Sequence, residues 1–81
     1  MGLPGYVTVD VQNASIFAAY EGKDVKSADA PQIYRIENGM KRVYPSEAIF
    51  FKHGGRFGTD RTWILISNTL LNSIPTGSPM V

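Results

Sequence analysis

Cysteine is absent from the 81-residue chain, and histidine and tryptophan each occur once. Without thiols no disulfide can staple the fold, no thiolate can attack a substrate, and the cysteine-based zinc modules are excluded. A chain this short buries a smaller share of its surface than a larger domain does, so tight packing or a partner has to hold it. Excess charge of either sign is missing too. Eight Lys and Arg stand against seven Asp and Glu, for a net charge of +1. Phosphate binding through counterion release needs a clustered basic surface, so no nucleic-acid partner is expected. No apolar run approaches the ~20 residues of a membrane span, and none is expected. The start Met-Gly-Leu-Pro-Gly-Tyr lacks a charged n-region and an apolar h-region, so no secretion leader is expected either.

The charge is unevenly placed. Residues 1–32 carry a net −2, residues 33–63 a net +3, and residues 64–81 none. A polarised surface of this kind suits docking between protein neighbours.

Along the chain, residues 6–12 alternate Val7, Val9 and Val11 with Thr8, Asp10 and Gln12, the period-2 pattern of a half-buried strand. Residues 15–20 are apolar and fit either a strand or a helical turn, and Glu21-Gly22-Lys23-Asp24 predicts a turn. The polar, alanine-containing stretch 26–31 ends in Pro31 and predicts a connection, which makes residues 1–31 an N-terminal arm. From Gln32 two β-type runs flank Asn38-Gly39, the strongest short hairpin signal because both residues tolerate positive φ. Pro45 ends the second strand. Ser46 is placed to cap a short helix with Glu47 in its first turn, and His53-Gly54-Gly55 is placed to stop it. Trp63-Ile64-Leu65-Ile66 predicts a fully apolar strand whose Trp63 packs inside the domain. Ser67 is placed to cap a helical turn through Leu70 and Leu71, and residues 78–81 read as a tail. The expected fold is α+β: a small antiparallel sheet built around the hairpin, with one or two short helices and extended termini.

Chemistry is thinly represented. A triad would need His53 beside Ser46 or Ser67 with Asp60 behind it, yet a histidine at a helix end is ordinarily a dipole partner. One imidazole with scattered carboxylates lacks the paired spacing of a metal site. Glu37, Glu47 and Asp60 fall in a turn, a helix start and a loop, with no concave scaffold for a glycosidase pair. They are expected to be solvated or paired with Arg35, Arg42 or Arg61. Gly54, Gly55 and Gly58 around Arg56 and Phe57 match no nucleotide-binding fingerprint, so turn glycines are the simpler reading. No cofactor, metal or catalytic residue is expected.

Taken in order, Tyr34, Gly39, Lys41-Arg42, Pro45-Ser46, Phe50 or Phe51, Gly54, Trp63, Ile66-Ser67, Leu70 or Leu71, and Ile74-Pro75-Thr76-Gly77 form a pattern. The pattern resembles the short, aromatic and glycine-punctuated repeat of bacterial surface proteins, some phages and large DNA viruses of algae. The match spans residues 32–77, with Tyr34, Gly39, Pro45, Trp63, Pro75 and Gly77 as its structural positions.

The resemblance implies an adhesion or scaffold unit that displays a hairpin, without chemistry of its own. A single copy without a leader fits a virion component better than a cell-wall protein. The expectation is therefore a minor capsid or cement protein of a virion, present in many copies. It would bridge the major capsid protein and other shell proteins through Val7, Val9 and Val11 of the arm and Arg35, Lys41, Arg42 and Tyr44 of the hairpin. The alternative is a glycan- or cell-surface-binding module that stacks its ligand on Tyr34, Tyr44 and Trp63.

Overall fold

The computed structural model describes residues 18–81. Val7, Val9 and Val11 lie outside the described residues. Residues 18–20 are helical and lead through a turn at Glu21-Gly22 into β1 (Asp24–Ser27). The chain continues through β2 (Tyr34–Glu37), β3 (Met40–Val43), α1 (Glu47–Lys52), a 3-10 turn (Gly58–Asp60), β4 (Trp63–Ile66) and α2 (Asn68–Ser73). The strands form one sheet in the order β3-β2-β1-β4. The expected α+β class built around a hairpin is what the structure has, and the sheet is mixed: β1 runs antiparallel to β2 and parallel to β4.

The local signals act where they stand. Asn38 (φ 56°) and Gly39 (φ 72°) both take positive φ, and Glu37 pairs with Met40 across them, the two-residue turn that suits strand twist. The Ser46 hydroxyl accepts from the Ile49 amide, and the Ser67 hydroxyl accepts from the Leu70 amide. Each satisfies an amide that its short helix cannot pair internally.

Alternation along the strands sorts the core onto two faces. On one, Val25, Ile36, Ile66, Leu71 and Ile74 cluster beneath α2, with Tyr20, Tyr34 and Leu70 packed against them. On the other, Ile33, Tyr44, Phe50 and Met80 cluster beneath α1, with Ile49 and Trp63 alongside.

Two expectations from the sequence are corrected. The stretch 26–31 is not simply a connection, because Lys26 and Ser27 belong to an inner strand. Val25 and Ser27 are fully buried, so the boundary drawn at residue 31 cuts through the sheet. Nor do residues 78–81 hang free. The Lys41 amide donates to the Pro75 carbonyl (2.7 Å), the Gly77 amide to that of Lys41 (2.9 Å) and the Met80 amide to that of Val43 (2.8 Å). The chain end thus lies along the outer edge of β3 and covers it, a common protection for an edge strand.

Candidate functional site

The face of the sheet that carries α1 begins with charge. Register places Asp24 opposite Arg35 and Arg35 opposite Arg42, so these side chains form a row on one face. Asp24 is buried, 4% exposed, and its Oδ1 accepts from Arg35 Nε (2.5 Å) and from the Tyr44 hydroxyl (2.8 Å). The Asp24 hydrogen bond chiefly raises the pKa of the Arg35 guanidinium, against the opposing effect of burial. Burial first, and then the hydrogen bond to Asp24, push the Tyr44 phenol above its ordinary value. Arg42 continues the row. Its Nη1 donates to Glu37 Oε1 (2.5 Å), and its Nε and Nη2 donate to the carbonyls of Ser78 and Pro79.

Lys41 leaves from the opposite face, where its ammonium donates to the Leu71 carbonyl (2.9 Å) and sits 5.6 Å from the Tyr34 ring centroid. The structure therefore brings Arg35, Arg42 and Tyr44 together, but as struts of the fold, and Lys41 ties the hairpin to α2. Charged groups already satisfied within a domain have little left to offer a partner.

Trp63 is half-buried, with Arg61 4.3 Å and Lys26 5.3 Å from its ring centroid. A ring occupied in this way by two cations is a poor platform for a further ligand. Its Nε1 and the Ser27 hydroxyl are buried without a hydrogen-bond partner.

The exposed feature is aromatic. Phe50 is buried, whereas Phe51 and Phe57 are 51% and 45% exposed. The Phe57 ring lies 5.0 Å from that of Phe50 and 5.7 Å from that of Phe51, edge-to-face with the latter. This arrangement requires Gly55, since a Cβ there would overlap the Phe50 ring. Beside Phe57 a cleft of about 430 Å³ is floored by Ile33, Tyr44 and Phe50 and rimmed by Lys26, Gln32, Ser46 and Glu47. The result is an apolar surface with a polar border.

The groups weighed for catalysis have other engagements. His53 caps α1 and its Nε2 meets the Val81 carbonyl at 2.9 Å. Ser46 and Ser67 are helix caps, Asp60 ends the 3-10 turn, and Glu37 pairs with Arg42. Among the described residues no group of three or more carboxylate or imidazole ligands is assembled, and no helix is long and apolar enough to cross a membrane.

Sequence reasoning missed Asp24, Glu21 and the Phe51–Phe57 pair. Asp24 and Glu21 stood in a predicted turn, and only strand register makes the first a buried acceptor. The Glu21 carboxylate accepts from the amides of Asn38 (2.6 Å) and Gly39 (3.1 Å) and clamps the hairpin turn from a distant part of the chain. Comparison of the chain with family models, curated proteins and solved structures gave no match.

Proposed function

We propose that the protein is a non-catalytic structural subunit, a minor component of a virion shell that sits between larger shell proteins. It docks on them through the Phe51–Phe57 surface. The observation that carries this reading is the pair of exposed phenylalanine rings stacked over buried Phe50, continuous with a cleft whose rim is polar. Exposed aromatic anchors on a rigid base, surrounded by polar residues, are what the centre of a protein interface needs. α1 and the 3-10 turn supply the base. The virion setting rests on the resemblance of residues 32–77 to modules of surface and viral proteins.

The contact is apolar at its centre, because Arg35, Lys41 and Arg42 are engaged within the fold. Among the three residues of the glycan reading, Tyr44 is buried and Trp63 is stacked with cations, so the docking reading has the exposed rings. The test is a double substitution, Phe51→Ser with Phe57→Ser, scored for recovery in purified particles against the parent chain. A variant that keeps the parent's amide-exchange protection and is lost from particles supports the proposal. A folded variant recovered at the parent's level overturns it.

A further inference from the structure

The two edges of the sheet are treated differently. The β3 edge is covered by residues 75–80 of the chain itself. β4 lies at the other end of the order and, among the described residues, pairs with β1 alone. Its sequence, Trp63-Ile64-Leu65-Ile66, contains no lysine, proline or other edge-blunting residue, and Ile64 and Leu65 are 36% and 48% exposed. A bare apolar edge of this kind invites a strand.

We propose that residues 6–12 of the same chain add a strand along the outer edge of β4, antiparallel to it, with Val11 opposite Ile64 and Asp10 opposite Leu65. Three observations carry this.

The first is reach. Tyr20 packs on the cluster that contains Ile66, and the turn that follows leads directly into Asp24. Asp24 pairs with Trp63 in a parallel register, so the chain arrives at the end where β4 begins. Residues 13–17 span up to about 17 Å when extended, and the outer edge of β4 lies about two strand spacings, roughly 10 Å, from β1. A tether this short gives the chain's own segment a high effective concentration over any competing strand.

The second is direction. A segment that leaves the start of β4 and precedes it in sequence has to run back along it, which makes the pairing antiparallel.

The third is the pattern of faces. Ile64 lies opposite Val25 and Ile66 opposite Ser27, on the face covered by α2. Leu65 lies opposite Lys26, on the face where Lys26 and Arg61 approach Trp63. With Val11 opposite Ile64, all three valines extend the apolar face, while Asp10 and Gln12 fall on the side of the two cations. A one-residue slip would reverse both choices.

Because the chain has no cysteine, paired substitutions in the full-length protein test this directly. One matched pair is Val11→Cys with Ile64→Cys, the other Asp10→Cys with Leu65→Cys. Neighbouring cross-strand pairs alternate in hydrogen bonding, so at least one has the spacing of a disulfide. The slipped pair Asp10→Cys with Ile64→Cys is the control. Mild oxidation should close at least one matched pair within a monomer and leave the slipped pair open. In a second measurement, Val9→Asp with Val11→Asp should speed exchange of the outward β4 amides about tenfold. Equal closure of the slipped pair, cross-links only between two chains, or unchanged β4 exchange would each overturn the proposal. None of these outcomes bears on the Phe51–Phe57 surface.

Discussion

The Tyr44 hydroxyl donates to Asp24 Oδ1 at 2.8 Å, and the Arg35 Nε donates to the same oxygen at 2.5 Å. One buried carboxylate thereby joins β1 to β2 and to the residue that follows β3, which links the inner strand to the hairpin through side chains as well as through the backbone ladder. Asp24→Ala should cost about 2 to 3 kcal/mol, because it leaves the Tyr44 hydroxyl buried and unpaired. Tyr44→Phe should cost about 1 kcal/mol, since Asp24 keeps its stronger, charged partner. Denaturant melts of the two variants check the order, and a larger loss for Tyr44→Phe would contradict it.

The same contact sets an alkaline limit. The folded state holds the Tyr44 proton more tightly than the unfolded chain does, because burial and the Asp24 hydrogen bond raise its pKa above the ordinary 10.0. The stabilisation is therefore complete below about pH 10 and is lost as the pH rises further. Melting temperatures measured from neutral pH upward should fall more steeply beyond that point in the parent than in Tyr44→Phe. Equal slopes would remove Tyr44 as the cause.

Two glycines in one loop should respond differently to the same methyl group. At Gly55 a Cβ meets the Phe50 ring, while at Gly58 (φ +85°) nothing lies within 4 Å of the added atom. Gly55→Ala has to displace a buried ring and should cost about 2 to 3 kcal/mol. Gly58→Ala meets only the backbone preference against positive φ and should cost about 1 kcal/mol. Melts in a common buffer check the pair. Gly55→Ala should also disturb the Phe51–Phe57 surface, visible as shifted aromatic resonances.

What the sequence made legible was local. Asn38-Gly39 encodes its turn within two residues, and Ser46 and Ser67 encode their caps within one helical turn, so each could be read without knowing what lay across the sheet. The place of β1 could not be read, because Val25 is buried by β2 and by a parallel partner, β4, contributed from far along the chain. Composition even pointed the other way: Asp24, Lys26 and Ser27 look like a polar connection until register hides two of them. The candidate surface was hidden for a related reason. Phe50 and Phe51 are adjacent and chemically identical, and only the rotation of α1 against the sheet buries one and exposes the other. Ser78 and Pro79 resemble a tail in composition, although Met80 fills the cluster of Ile33, Tyr44 and Phe50.

The Glu21 carboxylate bridges the amides of Asn38 and Gly39, so it steadies a turn that already has good residues. Glu21→Ala should cost about 1 kcal/mol, the net worth of exposed hydrogen bonds to a charged acceptor. The Asn38 and Gly39 amides should exchange faster in the variant while those of α1 do not. Exchange unchanged at the turn would show that Asn38-Gly39 holds its geometry unaided.

Truncation separates a detachable arm from an integral strand. Removing residues 1–28 deletes β1, which lies between β2 and β4 and carries the fully buried Val25 and Ser27 together with Asp24. The hairpin and β4 would then face each other across a gap one strand wide, about 10 Å between their backbones. Arg35 and the Tyr44 hydroxyl would lose their shared acceptor, and the cluster of Ile36, Ile66, Leu71 and Ile74 would lose its centre. Burial on this scale is a large part of what a domain of 81 residues has available. The truncated chain should show no cooperative thermal transition and little amide protection in residues 32–77. Truncating residues 78–81 instead should leave a cooperative transition, lowered by the about 2 to 4 kcal/mol that a buried methionine supports. A cooperative melt from the chain that starts at residue 29 would show that the hairpin, α1 and β4 form a core without β1.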